Sequence, residues 1–334
     1  MPTSWSSRGS ATEAEVFVVV AAGTESAGTA RRGGSPTEPI AIEVEHLTKR
    51  YGDREVVKDL SFTAQPGRVT GFLGPNGSGK STTMKIMLDL ASADGGRVRI
   101  GGCQYRDLPD PSGTVGALLE SNAFHPGRSG RHHLQILADA DGIDRERVDE
   151  VLDQVGLGDA ADRPAGAYSL GMRQRLGFAG ALLGDPPVLV LDEPANGLDP
   201  KGIHEMRDLL RTRATAGDTV LVSSHLLGEV ELLADDVIVV NHGQLITSGP
   251  LVDLREATTL VRCAAPDHLE RALTVAGAGV VKNKDTLIVS GMPIDEIGQR
   301  AFNAGIAIHE LSPHAGSLEE RFLRWTDVPE DATP

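Results

Sequence analysis

The chain has 334 residues, 40% of them apolar and only 4% aromatic, so it can bury a sizeable core made mainly of Val, Leu, Ile and Ala, which suits an α/β protein. Its formal net charge of −15 excludes the broad basic face that displaces counterions from nucleic acid; no nucleic-acid partner is expected, and any nucleotide must be held by local geometry. Cys103 and Cys263 belong to no ligand set at metal spacing, which points to a reduced, cytosolic compartment.

Residues 1–39 are rich in Ser, Thr, Gly, Ala and Pro without period and read as a disordered leader. The apolar run Val16–Gly23 is far short of the ~20 residues that span a bilayer, and Glu13 and Glu15 stand where a signal peptide carries basic residues. The protein is therefore expected to stay in the cytosol unless a partner recruits it. From Ile40 the chain alternates as a half-buried strand, turns at Tyr51-Gly52, and alternates again towards Gly74. Residues of about 115–185 read as a helical insertion, with the stretch from Glu146 to Leu183 largely helical in period and broken at Pro164-Ala165-Gly166. The adjacent pair His132-His133 points to two different faces of a helix and reads as a solvated helix start, not a metal site. Pro186–Leu191 is a short continuous apolar run, as a strand buried on both faces requires. Beyond Leu254, three strand-like and three helix-like stretches, the last of them "SLEERFLRWT", make a small α+β unit over 255–326 with ferredoxin-like order, before a tail at 327–334. No heptad seam and no internal repeat is present.

Two stretches carry chemistry. Gly74-Pro75-Asn76-Gly77-Ser78-Gly79-Lys80-Ser81 matches G-x-x-x-x-G-K-[ST] without departure, between an apolar strand and a helix-forming run. The glycines let successive N–H groups curl around a β-phosphate, and the helix start adds its positive end. Lys80 reaches the β- and γ-phosphates, Ser81 offers a hydroxyl to Mg²⁺, and Gly79 and Thr82 bound the cradle. In "PPVLVLDEP", a buried strand delivers Asp192 to that Mg²⁺, and Glu193, pointing elsewhere, can polarise water for attack on the γ-phosphate.

Together these resemble the nucleotide-binding subunit of an ATP-binding cassette (ABC) transporter over roughly 40–254. The resemblance implies an α/β fold, an ABC-type P-loop nucleotide-binding domain with a helical insertion, followed here by the small C-terminal α+β domain. Tyr51 in "KRYG" takes the place of the aromatic that stacks on adenine. "YSLGMRQRL" resembles the family signature LSGGQ, with Ser169 and Gly171 on its serine and second glycine, while Leu170 and Met172 replace its first glycine and its glutamine. Asp199 in "NGLDP" matches the D-loop acid, and His225 the histidine that contacts the γ-phosphate. Glu120 falls where the family normally has a glutamine that touches Mg²⁺ and water. A carboxylate there can ligate Mg²⁺, add charge beside the phosphates, or face solvent.

The resemblance implies ATP and Mg²⁺ as ligands and two copies packed head to tail, so that Ser169 and Gly171 of one close on the nucleotide of the other. With no span of its own, the chain would act through an integral membrane permease subunit, on the cytoplasmic side of the cell membrane. The signature form Y-S-L-G-M and the C-terminal "PHAGSLEERFLRWT" resemble drug- and antibiotic-resistance exporters. A soluble ATPase of the same superfamily, not coupled to transport, is the alternative. A GTP switch is disfavoured because "NKDT" from Asn283 lacks the last Asp of N-K-x-D, and Glu193 with His225 argues against a catalytically silent regulator.

Overall fold

The computed structural model describes residues 39–119, 124–254, 257–315 and 322. The expected leader except Pro39, Glu120, the tail and, apart from Phe322, the helix expected over 317–326 lie outside them.

The alternating N-terminal stretch forms β1 (Ile42–Tyr51) and β2 (Arg54–Ala64), joined at Gly52, whose φ of 58° is left-handed and suits glycine. The apolar β3 (Val69–Leu73) runs into the glycine loop, α1 (Lys80–Met87) follows, and β4 (Gly95–Ile100) returns to β1. These make a three-stranded antiparallel sheet in the order β2-β1-β4. A one-turn α2 (Pro111–Thr114), capped by Asp110, leads into β5 (Val115–Leu118). The helical insertion is α3 (Gly130–Ala140), α4 (Glu146–Gln154) and α5 (Leu170–Leu182); the expected break at Pro164-Ala165-Gly166 is a 3₁₀ turn over Ala165–Ala167.

Next come β6 (Val188–Asp192), α6 (Pro200–Thr215), β7 (Thr219–Ser224), α7 (Leu227–Leu233), β8 (Asp236–Asn241) and β9 (Gln244–Pro250). They complete a six-stranded sheet in the order β5-β6-β7-β3-β8-β9, parallel except for β9. Its strands β3 and β7 are buried along their whole length, and β6 is buried from Val188 to Leu191, where the sequence shows the continuous apolar run expected of a strand covered on both faces. The register puts Leu73 beside Ser224 and Asp192 beside Ser223, so the chain leaves β3, β7 and β6 at one edge of the sheet.

After the short α8 (Leu251–Leu254), a small domain with a third sheet is built from β10 (Ala257–Cys263), α9 (Pro266–Val275), β11 (Gly279–Asn283), β12 (Thr286–Ser290), α10 (Ile294–Asn303) and β13 (Ile308–Ala315). The β-α-β-β-α-β succession with strand order β11-β12-β10-β13 is the ferredoxin-like arrangement. Val261, Leu269, Leu273, Leu287, Val289 and Ile297 form its own core. Phe322 packs back against the cluster of Leu73, Val230 and Val237 in the larger domain. Among the described residues no helix is long and apolar enough to cross a membrane.

One expectation is corrected. His132 is exposed as foreseen, but His133 is buried and meets Phe124 edge-on at a centroid distance of 4.8 Å. Pointing to different faces is what separates the two, since the apolar face of α3, with Leu134 and Ala138, takes His133 with it.

α5 packs so closely on β5 that a Cβ at Gly116 would stand 2.7 Å from Pro186 and even nearer the Ala181 carbonyl. Gly116→Ala is expected to lower stability by about 1–3 kcal/mol, since backbone must move to admit the methyl. An unchanged melting temperature would contradict this packing. Burial, with the Arg128 charge adding to it, pushes His133 down to about 4. Unfolded, the imidazole protonates near its ordinary 6.5, so its contribution is full above that value and is lost as pH falls towards 4, by roughly 3 kcal/mol. Asp141 runs the other way: burial chiefly, and then Asp110, raise it to about 6, so its contribution fades as pH rises from 3.8. The two offset each other in the wild type. His133→Phe removes only the first, and denaturant titrations at pH 7 and pH 4 should show the variant gaining on the wild type at low pH.

Candidate nucleotide site

The loop 74–79 is curled as the glycines permit. A Cβ at Gly74 would lie 3.0 Å from the Val240 side chain and closer still to the Ser78 Oγ and Val240 carbonyl, and one at Gly79, whose φ is 102°, would lie 2.7 Å from the Val56 carbonyl. Gly77 is also left-handed at 81°, with Asn76 exposed beside it and Pro75 half-buried. The Pro75 carbonyl accepts the Ser78 N–H at 3.1 Å, while the buried Ser78 Oγ has no hydrogen-bond partner among the described residues. Among the described residues no side chain caps α1, so the first amides of the helix are left for an anion. Lys80 is buried, and its ammonium donates to the Gly74 and Pro75 carbonyls at 2.7 and 3.2 Å. Burial pulls its pKa down, against the charges of Glu193 and Asp192, which raise it. Ser81 is exposed and Thr82 half-buried on the first turn of the helix. Free amides, a fixed cation and positions where a Cβ does not fit make this loop suited to a polyphosphate.

On the neighbouring strands, Ser223 is fully buried at the end of β7. Its hydroxyl donates to Asp192 Oδ1 and accepts the Glu193 N–H at 2.9 Å. Glu193 has a φ of 49°, left-handed for a residue with a side chain, and this turn carries its carboxylate to His225, with Oε2 and Nδ1 2.7 Å apart. His225 stays partly open to solvent, while Ser224 accepts the Leu226 N–H at 2.9 Å and tightens the turn beneath it. Behind the pair, the buried Gln174 donates from Nε2 to the Glu193 carbonyl at 3.1 Å. Asp192, Glu193, His225 and Lys80 are thus gathered at one sheet edge. No cluster of three His, Cys, Asp or Glu that could hold a metal occurs among the described residues. Mg²⁺ does not need one, because it uses one or two carboxylates with phosphate oxygens and water, and Asp192 with the Ser81 hydroxyl fits that demand. Glu120, the third expected ligand, lies outside the described residues.

Tyr51 is exposed at the end of β1, with the Lys49 ammonium 5.2 Å from its ring centroid. Asp94 steadies this hairpin, accepting the Arg50 N–H at 2.6 Å and pairing with Lys49 at 3.4 Å. Between the hairpin and Gly77 lies a cavity of about 350 Å³, with Arg50, Arg54, Lys58 and His242 and the carboxylates of Asp53 and Glu55 among the groups on its wall. It has the size and the position next to the loop for the base and sugar of a nucleotide.

Ser169 caps α5, its Oγ accepting the Met172 N–H at 3.2 Å, and remains exposed. A Cβ at Gly171 would stand 2.6 Å from the Gly197 carbonyl, so the signature segment leans on its own D-loop. Among the described residues no hydrogen bond joins Ser169 or Gly171 to the loop 74–81. Asp199 caps α6 through the Gly202 N–H at 3.0 Å, with its carboxylate largely in water. Arg175 ties these parts together, donating to the Val155 carbonyl at 2.8 Å and to Glu205 at 3.0 Å, with Asp199 at 3.8 Å.

Ser223, Gln174, Arg175 and Asp94 are absent from the sequence reading. A buried Gln and a half-buried Arg inside a signature helix, and a Ser two residues before the histidine, show in the sequence only as spacing without a partner.

Comparison with known proteins agrees with this geometry. The family model described as ABC transporter matches residues 57–196, and one described as Domain of unknown function (DUF8746) matches 257–319. The chain is 37% identical to "Uncharacterized ABC transporter ATP-binding protein YhcH" of Bacillus subtilis over 85% of its own length and 95% of that protein's. It is 33% identical to "Daunorubicin/doxorubicin resistance ATP-binding protein DrrA" of Streptomyces peucetius, over 88% and 95% of the two chains. A solved "ATP binding subunit of ABC transporter", 24% identical, shares the fold with a TM-score of 0.58 over 78% of this chain and 99% of that one. A phosphate loop, an Asp-Glu strand end and a histidine at one sheet edge, joined to likeness over nearly the whole length of such relatives, make this chain a member of the ABC transporter ATP-binding proteins, the ATPase subunits that power transport through a separate permease.

Proposed function

We propose that this subunit binds ATP with residues 74–82 and Tyr51, hydrolyses it with Glu193 and His225, and powers export of a drug-like or antibiotic compound through an integral membrane permease on the cytoplasmic side of the membrane. The observation that carries the catalytic part is the 2.7 Å contact between Glu193 and His225, beside Asp192 and within the electrostatic reach of Lys80. In this reading Lys80 leaves the loop carbonyls for the β- and γ-phosphate oxygens, and the loop amides with Ser78 complete the cradle. Glu193 accepts the proton of the attacking water, and His225 holds that carboxylate in place and meets the γ-phosphate. Ser81 and Asp192 would hold Mg²⁺, which when bound would supply positive charge to the phosphate oxygens.

The head-to-tail arrangement is supported by the exposed start of α5, which leans on the D-loop of its own chain and is free to face a second copy. Two copies would then enclose two nucleotides, each between 74–82 of one chain and Ser169 with Gly171 of the other, and the exposed Asp199 would lie at the seam. Loss of the γ-phosphate removes the bridging contacts and lets the halves part, which is the motion delivered to the permease. Export in place of import is supported by likeness to a protein named for daunorubicin and doxorubicin resistance across nearly its whole length.

Lys80→Ala should abolish tight nucleotide binding in a fluorescent-ATP titration, since each charge-assisted hydrogen bond lost is worth about 1.5–3 kcal/mol. Near-normal affinity would refute its role. Glu193→Gln should bind ATP normally, lose about 10²–10⁴-fold in kcat, and elute as a dimer from a sizing column run in ATP and Mg²⁺. Normal turnover by that variant, or a monomer in ATP, would count against the base or against the paired sites respectively.

A further inference from the structure

Asp192 and Glu193 are consecutive in sequence, yet their proposed tasks require them to point apart and to stay so. The backbone arrangement that does this is costly: Glu193 sits at φ 49°, where a side chain is disfavoured by about 1–2 kcal/mol, and its N–H has turned out of the strand ladder. Ser223 answers both needs with one hydroxyl. Lying directly opposite Asp192 on β7 and sealed from solvent, it accepts the stranded Glu193 N–H at 2.9 Å and spends its own hydrogen on Asp192 Oδ1.

We propose that Ser223 is a positioning residue for metal-dependent hydrolysis: by occupying one oxygen of Asp192 it turns the other towards the metal, and by the same bond pattern it fixes the turn that aims Glu193 at His225. The inference rests on the assignment of Asp192 to Mg²⁺ and of Glu193 to the water. An ordinary core hydroxyl on a sheet would satisfy its hydrogen bond with a main-chain carbonyl. Here it is spent on a carboxylate that the sheet does not otherwise hold, and removing it orphans two groups at once. Ser224, its neighbour, does not share the task, because its hydroxyl closes the local turn at Leu226. Hydrogen-bond partners that orient a metal's ligands typically carry 10–100-fold in metal affinity or activity.

The test is a Mn²⁺ titration of the full-length chain with a non-hydrolysable ATP analogue, followed by electron paramagnetic resonance, with melting temperatures and steady-state kinetics alongside. For Ser223→Ala the half-saturating Mn²⁺ concentration should rise about 10–100-fold, and kcat should fall on the same scale with KM for ATP nearly unmoved. Ser223→Thr, which keeps the hydroxyl, should restore both. A lower melting temperature in Ser223→Ala with a Mn²⁺ titration superposed on the wild type would overturn the proposal, since a merely structural hydroxyl would give that pattern. If Ser223→Ala does not fold, Ser223→Cys, nearly isosteric but a weak donor, takes its place and should show the same shift; a wild-type titration there would equally overturn it. Wild-type protein whose nucleotide complex takes up no Mn²⁺, or Asp192→Asn with an unaltered titration, would instead remove the metal assignment on which the inference stands.

Discussion

The lateral register of β3, β7 and β6 carries the site. With Leu73 beside Ser224 and Ser223 beside Asp192, three neighbouring strands end level, and the phosphate loop, the histidine turn and the acidic pair emerge together. A slip of one residue in a sheet buried on both faces would turn every apolar side chain over and separate these groups, so the apolar core and the site are specified by the same hydrogen bonds. The crossover helices supply the remaining constraint. α1 begins where β3 has just turned out of the sheet, α7 follows the histidine, and both pack on the sheet that positions them.

Electrostatics at this edge are local and nearly self-contained. A chain of net charge −15 does not draw a polyphosphate by its overall field; helix amides, the glycine loop and one buried ammonium must do so against it. Lys80 is kept in readiness by two loop carbonyls, with Asp192 and Glu193 near enough to counter the loss of solvent that burial imposes. Charge is therefore concentrated where an anion and a divalent cation would enter as a pair. Neither carboxylate is left loose: Asp192 is held through Ser223 and Glu193 through His225, and the main-chain carbonyl of Glu193 through Gln174.

That last contact gives α5 a double attachment. Its exposed start, at Ser169, belongs in the proposed arrangement to the nucleotide of a second chain, whereas Gln174 and Arg175, a turn further on, grip Glu193, Glu205 and the region of Asp199 within the same chain. A helix is stiff over such a length, so displacement of one end is felt at the other. Leu170, which replaces the first glycine of the signature, fits the same scheme, because it lies across the flat face of Gly197 where no side chain could stand.

Much of the fold was legible in the chain alone. Gly74 to Ser81 announced its own geometry, since only glycine tolerates the close approaches and positive φ values found there, and Val188 to Leu191 announced a doubly covered strand by the absence of any polar residue. The alternation of strand and helix in the small domain was also written in local periodicity, except that one strand-like stretch there folds as the hairpin of β11 and β12. His133 was misjudged because a single helix turn says which residues share a face but not which face meets the core; Phe124 and the packing of α3 on α4 and α5 decided that. Ser223, Gln174, Arg175 and Asp94 were silent for a stronger reason. Each acts on a partner 19 to 44 residues away, across strands or between helices. Composition, local period and motif spacing determined most of the elements, the curled glycine loop and which side chains stand at the strand ends, because those depend on the conformational limits of neighbouring residues. Which buried hydroxyl and amide and which guanidinium hold those side chains in place was decided only when the chain folded, because hydrogen bonds between distant residues leave no periodic trace along it.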